Sequence, residues 1–155
     1  MTGAARAPRT TSFNVRVGDA LPERPGPDIN IERIRMVMDA MDDVNPVHID
    51  EELVKRMGLR GLVNQGPSNL SYITNMLTAW TGDPDAVKRL KVRFHNLVVP
   101  GDRTIAGGMV TAIHEHGADG ASAGRTVDCD IWLRLADGTT MIAGMATVAL
   151  KNTGA

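Results

Sequence analysis

The stretch Pro67-Ser68-Asn69-Leu70-Ser71-Tyr72-Ile73-Thr74-Asn75-Met76-Leu77-Thr78-Ala79-Trp80 carries no charged side chain. Pro67 occupies the favoured first position of a helix, and Gly82-Asp83-Pro84 stops it. A helix with no charge on any side is expected to be buried or wrapped by other structure. The residues that follow supply the wrapping. From Ala86 the pattern changes to period two, with Leu90, Val92, Phe94, Asn96 and Val98 on one face and Arg89, Lys91, Arg93 and His95 on the other. Pro100-Gly101-Asp102 reads as a turn, and strands are predicted over residues 104–114, 126–135 and 140–150. Asp119-Gly120 and Asp137-Gly138 are hairpin signals between them.

Upstream, Phe13 to Val17 alternates and ends at Gly18-Asp19, which predicts a first short strand and turn. Residues 22–27 hold three prolines and read as an irregular connector. Ile31, Ile34, Val37, Met38 and Met41 fall at helical spacing, with Asn30 or Asp28 as the cap and Asn45-Pro46 as a barrier. The predicted helix has Asp43 at its end. A second short helix is predicted from Asp50 to Met57, closing at Gly58, followed by a glycine-rich loop to Gly66. One strand, then helices, then about four antiparallel strands make an α+β fold in a single domain.

Composition narrows the function. Net charge is −1, so no polycationic surface invites nucleic acid. Cys129 is the one cysteine, which excludes an internal disulfide and a cysteine metal site. It lies in a strand-like stretch and reads as a buried, inert thiol. Nine Met and few aromatics predict a core of aliphatics and Met. Residues 1–12 read as a flexible tail with no apolar run for a signal peptide. No stretch approaches the ~20 apolar residues of a membrane-spanning helix, so a cytoplasmic protein is expected.

The densest polar cluster is Asp42-Asp43-Val44-Asn45-Pro46-Val47-His48-Ile49-Asp50. Pro46 turns the chain so that the His48 ring can approach the Asp43 carboxylate. Such a pair can hold a water and pass its protons, which is general acid–base chemistry. On spacing alone, a polar turn with His48 capping carbonyls is the simpler reading. Asp50, Glu51 and Glu52 fit the acidic first turn of the next helix.

A second cluster, Asn64-Gln65-Gly66-Pro67, opens the charge-free helix. Gly66 is placed at the N-cap, where a free N–H and the helix dipole favour developing negative charge; Pro67 has no N–H to give. Ser71 follows on the same helix, with no base signalled to make it a nucleophile. His95, His114 and His116 lack metal-site spacing and read as surface or strand residues, and no metal is expected. The row Arg89, Lys91, Arg93 is a solvated strand face or a contact for the phosphates of coenzyme A or phosphopantetheine.

Together these residues resemble the MaoC-like, or hydratase-2, branch of the hotdog fold. The family's Asp-x-Asn-Pro-x-His stands here as Asp43-Val44-Asn45-Pro46-Val47-His48, with its acidic residue two positions on at Asp50. The helix-entry glycine is matched by Gly66 and the helix serine by Ser71. Val92-Arg93-Phe94 and Val98-Val99-Pro100-Gly101-Asp102 resemble the family's second strand and turn.

The resemblance implies a single hotdog domain over residues 13–152, a long helix wrapped by a curved sheet. It makes Asp43 and His48 catalytic, and Gly66, Ser71, Asn45 and Gln65 oxyanion or substrate-binding residues. The implied activity is hydration of trans-2-enoyl thioesters of coenzyme A or a carrier protein, or the reverse. No cofactor is implied beyond coenzyme A as part of the substrate. The implied assembly is a homodimer or a heteromer with another MaoC-like chain. Gln65 stands where many relatives have His, and Pro67 is a second departure; both bear on the pocket's shape. Residues 63–82 also resemble actinobacterial subunits that hydrate steroid side-chain thioesters as heteromers. Two other readings fit the sequence less well. A hotdog thioesterase commonly places an acid on the central helix, and residues 67–80 have none. A non-catalytic partner subunit has no need of both Asp43 and His48.

Overall fold

The computed structural model describes residues 14–116 and 124–150. Strands β1 (Arg24–Pro25), β2 (Val87–Phe94), β3 (Thr104–His116), β4 (Gly124–Leu135) and β5 (Thr140–Leu150) form one antiparallel sheet in the order β1-β3-β4-β5-β2. Helices α1 (Ile31–Met41), α2 (Glu51–Arg56) and α3 (Gly66–Thr81) precede the four long strands.

The three long C-terminal strands follow the alternation in the sequence closely, because one side of each is buried. On β4 the core side is Val127, Cys129, Ile131 and Leu133. Thr126, Asp128 and Trp132 are only partly covered on the other side, and Asp130 is exposed. A one-residue slip would invert every side chain, so the register is strongly specified. Helix α3 contacts β2, β3, β4 and β5. Its Ile73, Met76 and Leu77 are fully buried against Val110, Ile131, Leu133, Ile142 and Val148.

The helix is not covered all round. Pro67, Asn75 and Ala79 are exposed, so one side of this uncharged element faces outward. Its stop is as predicted: Gly82 takes the left-handed conformation (φ 69°) and donates its N–H to Thr78 O.

The N-terminal expectations need correction. No strand covers residues 14–17, and Phe13 lies outside the described residues. The chain turns there, with Arg16 N–H donating to Asp19 Oδ2 at 2.8 Å. The first strand is instead Arg24–Pro25, inside the proline-rich connector. Pro22, Pro25 and Pro27 lack ladder donors, so this segment touches the edge of β3 intermittently, through Leu21 N–H to Gly108 O and Gly26 N–H to Thr104 O. The expected tail at 1–12 and the Asp119-Gly120 hairpin fall outside the described residues. The Asp137-Gly138 turn is formed, with Gly138 at φ 90°.

Candidate active site

Helix α1 begins where Asn30 Oδ1 accepts from Arg33 N–H at 2.8 Å. It ends two residues earlier than the sequence suggested. Asp42 adopts the left-handed conformation (φ 50°), the one non-glycine to do so among the described residues, and both Asp42 and Asp43 donate their N–H to Met38 O. Asp43 is therefore thrown off the helix axis into the following turn.

That turn is built from the motif's own side chains. Asp43 Oδ1 accepts from Asn45 N–H at 3.0 Å, and Asn45 Oδ1 accepts from Val47 N–H at 3.3 Å. Pro46 opens a short 3₁₀ turn, Pro46–His48, where its missing N–H costs nothing. Asn45, expected to meet substrate, spends its carboxamide oxygen on the turn. Asp50 caps α2 by accepting from Leu53 N–H, where the sequence suggested membership of the first turn.

The turn delivers His48 into the interior, 6% exposed. Its Nδ1 lies 2.6 Å from Val63 O. A carbonyl oxygen only accepts, so Nδ1 carries a hydrogen and the other ring nitrogen is the variable one. That nitrogen, Nε2, lies 3.2 Å from Asp43 Oδ2. The Asp43 side chain is 28% exposed against 8% for His48, so the carboxylate is the member that opens to solvent.

The backbone holding His48 leads directly to α3. Val63 N–H donates to Val47 O, and Asn64 N–H donates to Val98 O at 2.8 Å. Gly66 follows three residues after Val63, which keeps its Cα within about 11 Å of Val63 Cα. The N-cap of α3 is Gln65, not Gly66; Gly66 is the first helical residue. Its N–H meets no acceptor among the described residues, and Pro67 beside it has none to offer. The helix therefore presents an unsatisfied donor at its positive end, and the segment just before it holds the His48 ring through Val63 O. A Cβ at Gly66 would stand 3.5 Å from Phe94 Cε1, an ordinary contact, so the Phe94 ring forms a wall beside this donor.

Gln65 is 1% exposed, and its Nε2 donates to Ile34 O at 2.9 Å, tying the head of α3 to α1. Its Oε1 has no partner among the described residues. Ser71 is directed elsewhere: its hydroxyl donates to Ser68 O at 2.7 Å and lines a hollow with Arg24, Gly26, Arg33 and Asn75. Sequence reasoning missed the neighbours of Asn64, whose Nδ2 donates to Asn69 Oδ1 at 2.6 Å and to Tyr72 OH at 3.2 Å. The single tyrosine in a charge-free helix was the available signal. Phe94 carries no signal in the sequence beyond its place in a strand.

His114 and His116 share the outer face of the sheet, as expected. His114 Nε2 lies 2.8 Å from Asp128 Oδ2, and Thr147 Oγ1 donates to Asp128 Oδ1. These hydrogen bonds hold the Asp128 carboxyl below the usual carboxylate range. Burial pushes the Cys129 thiol up to about 12.

Residues 14–126 match the family model described as the MaoC like domain. The chain belongs to the MaoC-like family. No curated protein matches this MaoC-like chain by sequence. Among solved structures it is similar to the (R)-hydratase from A. caviae involved in PHA biosynthesis, with a TM-score of 0.74 at 17% identity over 90% of this chain and 100% of that one. It is also similar to the ChsH1-ChsH2 complex from Mycobacterium tuberculosis, with a TM-score of 0.69 at 19% identity over 88% and 98%. A third likeness, at 26% identity and a TM-score of 0.71, is a MaoC-like dehydratase; it covers 89% of this chain but 41% of that longer one. The five-stranded sheet around α3 is thus the hotdog fold, the α+β architecture expected from the sequence.

Proposed function

We propose that this MaoC-like chain adds water to the double bond of trans-2-enoyl thioesters with (R) stereochemistry, or removes it from 3-hydroxyacyl thioesters. The observation that carries the reading is the Asp43 Oδ2–His48 Nε2 pair at 3.2 Å, with Nδ1 locked on Val63 O. A water held by the pair loses a proton to it while its oxygen bonds to C3 of the enoyl group. The π electrons move toward the thioester, C2 takes a proton from the pair, and the net change is one O–H broken, one C–O and one C–H formed. The charge that develops on the thioester oxygen falls to the Gly66 N–H and the positive end of α3. Acid, base and oxyanion donor are all side-chain or backbone groups of this chain, so coenzyme A enters as part of the substrate and no other cofactor is invoked.

The (R) outcome is supported by the likeness to an (R)-hydratase, and assembly with a second MaoC-like chain, identical or not, by the likeness to the ChsH1-ChsH2 complex. The test is the loss of conjugated enoyl-thioester absorbance when the purified protein meets crotonyl-CoA and longer enoyl-CoAs. Asp43→Asn keeps the size and the turn acceptor but not the base, and is expected to lower kcat by about 10²-fold or more. His48→Ala is expected to do the same. Turnover retained in either variant would sink the assignment.

A further inference from the structure

Gln65 stands between two groups that the proposed chemistry takes from this segment: Val63 O, which holds the His48 ring, and the Gly66 N–H. Its side chain is buried, at 1% exposure, and its two polar atoms are in opposite states. Nε2 donates to Ile34 O in the body of α1 at 2.9 Å, while Oε1 has no partner among the described residues. A carbonyl oxygen has two lone pairs, so Ile34 O gives up nothing in α1 to accept this bond. For stability alone the amide is a poor choice here. A buried acceptor left without a partner costs more than one hydrogen bond to a neutral carbonyl returns, and an apolar side chain of the same size avoids that cost.

The geometry gives the amide another use. The Gly66 N–H belongs to the planar peptide group that starts at the Gln65 carbonyl. Gln65 O accepts from Asn69 N–H at 3.1 Å, which ties the oxygen edge of that plane into the first turn of α3. In a trans peptide the N–H edge then points the opposite way, out of the positive end of the helix. The Gln65 side chain holds the same residue from another direction, on α1, the helix whose end delivers Asp43. Apolar packing among Ile34, Ile73 and Leu77 fills the space between these elements without a preferred direction, whereas a hydrogen bond to a carbonyl has one.

We propose that Gln65 is a positioning residue: through Ile34 O it fixes the peptide group that carries the Gly66 N–H relative to the Asp43–His48 pair, and so aims that donor at the thioester oxygen. The proposal rests on the hydratase reading for what the N–H does; the fixing of the peptide group is read without turnover.

The test uses the full chain, its variant Q65M, which keeps the length of the side chain and loses both polar atoms, and G66A. Q65M is expected to melt at or above the temperature of the unaltered chain. Its kcat/KM for crotonyl-CoA is expected to fall about five-fold, carried by kcat with KM within about two-fold, since a misaimed oxyanion donor is felt in the transition state. In Q65M/G66A the loss is expected to stay within about two-fold of that in G66A alone, because both changes act through one N–H. Losses that multiply would show that Gln65 does not work through Gly66, and would overturn the proposal. A lower melting temperature in Q65M and in a second apolar variant, Q65L, would do the same by making the amide a structural group. Hydrogen exchange at the Asn69 N–H, which reaches Gln65 O, needs no turnover. It is expected to be about ten-fold faster in Q65M with the amides of β4 unchanged, and equal protection in both proteins would sink the proposal. If the unaltered chain leaves every enoyl-CoA intact while Asn69 exchange rises as stated, the hydratase reading fails and the fixing of the peptide group stands.

Discussion

Pro67 removes one of the donors at the head of α3, and Gln65, its N-cap, makes no side-chain capping bond, so the Gly66 N–H is left without an acceptor among the described residues. Neither φ nor crowding within the chain demands glycine at this position, since an added Cβ meets Phe94 at an ordinary 3.5 Å. Gly66→Ala is therefore expected to leave stability within about 1 kcal/mol, helped if anything by the better helix former. On the proposed reading the added methyl crowds the approach of the thioester oxygen to the N–H. A fall in kcat/KM of about ten-fold, some 1.4 kcal/mol in the barrier, is expected with little change in melting temperature. Equal activity in G66A would remove Gly66 from the oxyanion role. Asn45 and Ser71 carry matching letters; Asn45 Oδ1 accepts from Val47 N–H and the Ser71 hydroxyl donates to Ser68 O.

Across the outer face of the sheet, Asp128 on β4 joins His114 on β3 and Thr147 on β5, so one carboxylate ties three strands. Because the folded chain holds this carboxyl below its ordinary value of about 3.9, the unfolded chain takes up the proton first as the medium is acidified. The tie contributes in full above about pH 4 and is lost as pH falls through the lower, folded-state value. Asp128→Asn is expected to flatten the dependence of melting temperature on pH below about pH 4, and to leave the enoyl-CoA assay unchanged. An identical acid limb in both proteins would show that the tie contributes nothing. These contacts join neighbouring strands at a register set by burial, which is why the alternation placed His114 on the right face without revealing its partner.

For the molecule as a whole, Cys129 reports on the core. It is fully buried in the cluster that joins α3 to the sheet, and its thiol is pushed up to about 12 by that burial. With so little thiolate and no access, a disulfide reagent near neutral pH is expected to label it at the rate of global unfolding. Labelling should then rise with temperature along the circular dichroism transition; rapid labelling of the native protein would instead reveal local opening of β4. The amino-acid order by itself determined the α+β layout, the wrapped helix and the long strands, because each rests on periodicity that one buried face enforces. It also determined the Asp43/His48 pair, since Asn45 and Pro46 build their turn from local bonds. Tertiary structure decided the rest. It moved the first strand into a proline-rich segment, because pairing there depends on what β3 leaves open. It set the His48 hydrogen on Nδ1 through Val63 O, a carbonyl fifteen residues away. It made β2 an edge, because strand order depends on contacts between distant segments that no local pattern records.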